Sequence, residues 1–163
     1  MTDQNPTPQV SVQQLVALAT GTGFGLSVSA AVIALIGLLL PFVGISTNLG
    51  MGLDQAGSLN GFEAASWVAW LALLVFVLAA ASWRVIQIAP YRTILCWAGL
   101  VAAVIAILYG WFLNPAASQL AEVNRTMSAL GAQGNAINVT PHIGMLILLI
   151  GGGVLAWAGR KGA

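Results

Sequence analysis

Charged side chains are scarce in this sequence: 6% of 163 residues, with five Lys or Arg against four Asp or Glu. A soluble domain carries roughly 25%. Too little charge is present to keep a surface of this size wet, and too little to hold a chain disordered. The net charge is +1. No basic stripe exists to neutralise phosphates, so nucleic acid is not an expected partner. No run of Lys or Arg reads as a patch for anionic lipid either. The single cysteine, Cys96, excludes an intrachain disulfide, a CxxC redox pair and a thiolate metal cluster. That count also sets aside the four-helix membrane oxidoreductases that exchange disulfides. The first twenty residues lack the basic start and small-residue cleavage pattern of a signal peptide. The first apolar span is therefore expected to be an uncleaved anchor.

What the sequence has in abundance is apolar length. Hydrophobic residues make up 59% and mean hydropathy is +0.93. Four stretches stand out, at residues 24–45, 62–83, 93–113 and 141–159. At 1.5 Å of rise per residue, about 20 apolar residues cross a hydrocarbon layer of about 30 Å. In lipid the backbone must satisfy its own hydrogen bonds, so such spans are helices. The runs do not alternate as barrel strands would. The expected fold is an all-α integral membrane bundle of four helices.

Local chemistry marks the boundaries. Asn60 followed by Glu63 is a capping-box pattern for the second helix. Thr140 and Pro141 suit the cap and first turn of the fourth. Pro90 should stop helical continuation in the connection at 84–92, and Pro41 should bend the first helix near its end. Trp67, Trp70, Trp83, Trp97, Trp111 and Trp157 fall near span ends, as do Tyr91 and Tyr109, where rings with one wet edge reside. Arg84 and Arg92 lie in the 84–92 connection and Arg160 and Lys161 follow the fourth span, with Arg125 alone on the other side. This asymmetry predicts a multi-pass protein of the plasma or inner membrane, with the N-terminal segment (1–22), the 84–92 loop and the tail (160–163) in the cytoplasm.

Two segments are then outward. Residues 46–61 are Gly-rich, with room for a short hairpin. Residues 114–140 open with a helix pattern: Asn114 as cap, Pro115 in the first turn, Gly131 as stop. Ala116, Leu120, Val123, Met127 and Leu130 form one apolar stripe. This amphipathic helix is expected to lie on the membrane surface or cap the bundle. Leu120, Val123, Met127 and Leu130 are the candidate partner-binding face. In the N-terminal segment, Ser11 and Gln14 suit a cap for a short interfacial helix.

Helices in lipid associate by close packing, which small residues permit. Ala98, Ala102, Ala106 and Gly110 recur at steps of four. Ala30, Ala34 and Gly37 offer a face on span one, Ala65 and Ala69 on span two, and Gly144, Gly151, Gly152 and Ala156 on span four. A bulky change such as Ala102→Leu is expected to loosen the bundle. Gly151, Gly152 and Gly153 together could instead form a hinge.

The chemistry-bearing residues are few. The middle of every span lacks Asp, Glu, Lys, Arg and His, although an ionisable group there commonly marks function. A proton-coupled transporter with four spans would need an embedded carboxylate. An ion channel would need a polar path. Near the outer side, Glu63 and His142 are the candidate pair for a metal or a proton shuttle, with Asp54, Glu122 and Arg125 in the outer segments. The simpler reading has Glu63 capping its helix and His142 at the water boundary. Ser27 and Ser29 are expected to bond their own helix carbonyls rather than act as nucleophiles. Cys96 reads as a small buried residue. No cofactor motif is present and none is expected. Asn124-Arg-Thr and Asn138-Val-Thr match the glycosylation pattern, which matters only in a eukaryotic secretory route.

The stretch LLLPF, then an outer loop, then GFEAASWVAWLALLVFVLAAAS and a Gly-rich fourth span resembles the small uncharacterised four-span membrane proteins of bacteria, notably high-GC Gram-positive ones. The likeness covers most of the chain and implies a fold and a location, but no activity. Claudin-type proteins share the four-span plan, but their Trp and paired-Cys loop pattern is missing here. Fold alone assigns no function. The sequence points first to a non-enzymatic accessory or scaffolding subunit that meets lipid and other membrane proteins or itself. A pore or small transporter built from several copies, and an outer-leaflet enzyme using Glu63 and His142, are the alternatives.

Overall fold

The computed structural model describes residues 23–47, 55–113, 122, 125, 126, 129 and 137–161. The protein is mostly helical, with one small antiparallel sheet. The first helix, α1 (Gly23–Leu39), gives way to a strand, β1 (Pro41–Thr47). The expected span 24–45 is therefore helical only to Leu39, and Pro41 ends that helix rather than bending it. The Leu40 amide still donates to the Ile36 carbonyl at 3.0 Å. Pro41 has no amide to continue, and a residue before proline is pushed toward extended backbone. The β-branched Val43, Ile45 and Thr47 then favour a strand.

β1 is the central strand of three, in the order β2-β1-β3. It pairs with β2 (Gln55–Asn60) through Val43 with Leu59 and Ile45 with Gly57. It pairs with β3 (Ile137–Pro141) through Val43 with Pro141 and Ile45 with Val139. A purely α-helical fold is thus corrected to a helical one with a sheet at one end. Thr140 and Pro141 are corrected too: both precede the last helix as strand residues, and α5 (Ile143–Lys161) begins after them.

The second apolar stretch forms two helices, α2 (Gly61–Ala65) and α3 (Trp67–Ala81), broken at Ser66. Ser66 sits at φ 48° and ψ −127°, a region that L side chains rarely adopt. The third stretch is α4 (Arg92–Leu108), entered through a 3₁₀ turn at Ala89–Tyr91 and left through a π-helical turn at Tyr109–Leu113. Pro90 opens this helical segment, where its missing amide is harmless. Two helical segments, Ala89–Leu113 and Ile143–Lys161, are long and apolar enough to cross a membrane. α1 and α3 are shorter apolar helices of 17 and 15 residues.

α1 packs on α5, α5 on α4, α4 on α3 and α3 back on α1. The sheet, α2 and the π turn gather at one end, where α1 and α4 finish and α3 and α5 begin. The opposite end holds Arg84, Arg92, Arg160 and Lys161. Small side chains predominate in the interior, where Ala30, Ala34, Ala69, Ala79, Ala103 and Ala106 are fully buried beside a few larger ones, Leu38, Phe42, Phe76, Leu148 and Leu155. Large ones cover the outside, with Trp70 63%, Leu74 52% and Leu146 59% exposed.

Of the expected packing residues, Ala106, Gly110, Gly144, Gly151, Gly152 and Ala156 are buried, while Ala98 and Ala102 are half-buried. On α4 the buried face runs through Cys96, Gly99, Ala103 and Ala106, one position over from Ala98 and Ala102. α5 uses two faces. Gly144 and Gly151 meet the α1 backbone, and Gly152 and Gly159 meet Leu100, Ala103 and Cys96 of α4. The N-terminal segment, Asp54, Asn114, Ala116 and the stripe of Leu120, Val123, Met127 and Leu130 lie outside the described residues. Within that stretch Glu122, Arg125, Thr126 and Ala129 are helical and exposed. The Thr126 hydroxyl donates to the Glu122 carbonyl at 2.9 Å.

Candidate functional site

Beside the sheet, an apolar groove of about 290 Å³ runs between α3 and α4. Trp67, Leu71 and Val75 line one wall, and Ala102, Ile105 and Tyr109 the other. Both sets recur at helical spacing, three or four residues apart, so each wall is one helix face. The single methyl groups of Ala72 and Ala102, both in the lining, leave the space that larger side chains would fill. Trp67 and Tyr109 meet edge to face at 6.0 Å between ring centroids. Both backbone irregularities border this place: Ser66 precedes Trp67, and the π turn starts at Tyr109. π turns and strained residues concentrate at working sites. The lining is almost wholly apolar, Tyr109 being its one ionisable side chain, so the groove suits an apolar chain or side chain.

Of the expected polar residues, Glu63 is engaged as a helix cap. The Glu63 amide donates to Asn60 Oδ1 at 2.9 Å, and the Asn60 amide donates to Glu63 Oε2 at 3.0 Å. The capping box read from the sequence is therefore present. His142 is exposed and follows β3. Its ring lies over Gly44, where an added Cβ would come within 2.7 Å of Cδ2, and Thr140 Oγ1 lies on the same side, 2.9 Å from that position. In the chain Glu63 follows the edge strand β2 and His142 follows the other edge strand, β3. Among the described residues no three of His, Cys, Asp and Glu converge.

The Ser27 hydroxyl donates to the Gly23 carbonyl at 2.8 Å, and Ser82 donates to Ala79 at 2.7 Å. Cys96 is fully buried against Gly159. Sequence reasoning missed the groove, because its two walls come from separate helices and neither carries a motif. It also missed a set of contacts at the far end. Arg84 lies over Phe24, Arg92 over Trp83, Arg160 over Trp97 and Lys161 over Trp157, at 4.2 to 5.3 Å from the ring centroids. Only the last pair, four residues apart on one helix, had a signal in the spacing. No protein-family model matches the chain, and no match was found among curated proteins.

Proposed function

We propose that this chain is a multi-pass membrane protein in which α1, α3, α4 and α5 all cross the bilayer, and that it serves as a non-enzymatic accessory or scaffolding subunit of a membrane complex. One observation carries the reading: the packing is inverted relative to a soluble protein. Fully buried positions are mainly alanine and glycine, while Leu, Val, Ile and Trp face outward on all four long helices. Water would penalise so much contiguous apolar surface. In lipid that surface costs nothing, and small residues supply the close backbone contact that holds helices together. α1 at 17 residues and α3 at 15 give about 26 and 22 Å of rise. Both fall short of the full hydrocarbon depth, which a locally thinned bilayer accommodates.

The cation-bearing end belongs in the cytoplasm by the positive-inside rule. This orientation puts the sheet outside and both termini inside, in the plasma or inner membrane. The α3–α4 groove gives a partner helix a place to seat an apolar side chain without any chemistry of its own. The engagement of Glu63 as a cap supports a structural role over a catalytic one.

The test is fractionation followed by purification in several mild detergents with mass spectrometry. The protein is expected in the membrane fraction after alkaline washing, accompanied by the same integral membrane protein in each detergent. An Ala102→Leu change, which fills the groove, is expected to lose that companion. Release into buffer without detergent overturns the membrane reading, and recovery of the bare protein in every detergent overturns the subunit reading.

A further inference from the structure

Four of the five cations that the sequence scatters over residues 84–161, all but Arg125, are collected by the fold at one end. Arg84 and Arg92 flank the turn between α3 and α4, and Arg160 and Lys161 close α5. Backbone packing joins the two groups: an added Cβ on Gly159 would lie 3.8 Å from the Thr93 carbonyl, one residue after Arg92. No ion pair forms at this end among the described residues. Glu63, one of two described carboxylates, is at the opposite end in its capping box. Glu122, the other, is in the segment between α4 and α5.

Instead of a carboxylate, each cation has an aromatic ring. Arg92 lies 4.2 Å from the Trp83 centroid, and Arg84 lies 4.5 Å from Phe24. A guanidinium held over a ring keeps its N–H donors available at its edge, in the fork geometry that suits a phosphate. One guanidinium donor and one indole donor here are already removed from water and without an acceptor. Trp83 Nε1 and Arg92 Nε are buried and make no hydrogen bond, and they belong to the same ring–cation contact. Trp83 is itself fixed, because its ring occupies the place that a side chain on Gly23 would need.

We propose that this end binds the phosphate of an anionic glycerophospholipid, with Arg92 at the centre and Arg84 and Arg160 beside it. A multi-oxygen anion answers the charge that no carboxylate balances at this end. The rings of Phe24, Trp83 and Trp97 give the glycerol and upper acyl chain an apolar floor, which inorganic phosphate cannot use. A zwitterionic headgroup brings its own ammonium into a cluster of like charge. The proposal rests on the membrane reading above and adds a lipid specificity to it.

Its test uses the full chain in non-ionic detergent, with bound lipid counted by native mass spectrometry. Short-chain phosphatidylglycerol is expected to be retained over phosphatidylcholine of the same chain length by at least about fivefold, the contribution of one cation near an anionic headgroup. Arg92→Gln should remove most of that preference, Arg92→Lys should keep part of it, and Arg125→Gln should leave it unchanged. Salt at about 0.5 M should collapse the preference in the unaltered protein, an arm that decides the matter even where a variant folds poorly. Equal retention of the two lipids, or equal loss in Arg125→Gln, overturns the proposal. Displacement of the lipid by inorganic phosphate at equal concentration reassigns the site to the free anion and overturns it as well. A protein that needs detergent yet shows no lipid preference defeats only this proposal, whereas one that is monodisperse in plain buffer defeats the membrane reading beneath it.

Discussion

Gly37 and Gly144 show how little room one atom has. A Cβ on Gly37 would sit 2.7 Å from the Leu148 nitrogen, and one on Gly144 would sit 2.6 Å from the Gly37 carbonyl oxygen. These neighbours are backbone, which cannot step aside as a side-chain tip can. Gly144→Ala is therefore expected to push α1 from α5 and lower stability by about 1–3 kcal/mol, read as a fall in the thermal midpoint in detergent. Gly153 faces open space, so Gly153→Ala should leave that midpoint unchanged or raise it slightly through helix propensity. The Asn60 cap is a second single-residue device. Asn60→Ala leaves the Glu63 amide at the α2 start unanswered and should cost about 1 kcal/mol, again measured by thermal unfolding. Asn60→Ser, which keeps an acceptor, should recover most of it.

Among the elements, the break at Ser66 and the true face of α4 make the sharpest claims. Ser66 holds φ 48° with a side chain that makes no capping bond. Ser66→Gly relieves the backbone cost and is expected to raise the midpoint, and Ser66→Val should lower it. On α4, Ala103 is fully buried while Ala102 borders the groove. Ala103→Leu should lower the unfolding midpoint markedly, whereas Ala102→Leu should leave it nearly unchanged because the new side chain enters existing space. Equal effects from the two would show that the buried face has been misassigned.

These elements also mark what sequence could and could not reveal. The capping box was legible because all its atoms lie within four residues. The start of α4 and the extent of α5 were legible within a turn from apolar length and flanking Arg or Lys, whereas α4 ends at Leu108, five residues before the expected 113. β1 was not, because Phe42, Val43 and Ile45 continue the apolar run of α1 and their strand partners come from residues 55–60 and 137–141. The small-residue ribbon on α4 was visible as a composition, but a period of four drifts around a helix of 3.6 residues per turn. Ala98 and Ala102 therefore lie off the face that Gly99 and Ala103 define. Glu63 and His142 were legible only as polar residues that each open a span; that they follow opposite edge strands of one sheet was not.

At the scale of the whole molecule, the two ends differ in kind: a sheet with Glu63 at one, cations over rings at the other. This polarity makes orientation measurable. With Cys96 replaced by Ala, a cysteine at Ser58, exposed on β2, and one at Gln87, exposed in the α3–α4 connection, report on opposite sides. A membrane-impermeant maleimide applied to intact cells should label Ser58→Cys and spare Gln87→Cys until the cells are opened. The reverse pattern would invert the protein, and labelling of both in intact cells would end the four-crossing topology.

The central position of β1 has a consequence for the order of biosynthesis. Its first edge is paired by β2, which emerges from the ribosome soon after it, but its second edge waits for β3, which arrives only as α5 is about to be made. Until then α1 also lacks its principal neighbour, α5. Both partners therefore come from residues 137–161, and a chain cut before residue 137 is expected to leave that edge and that face of α1 uncovered together.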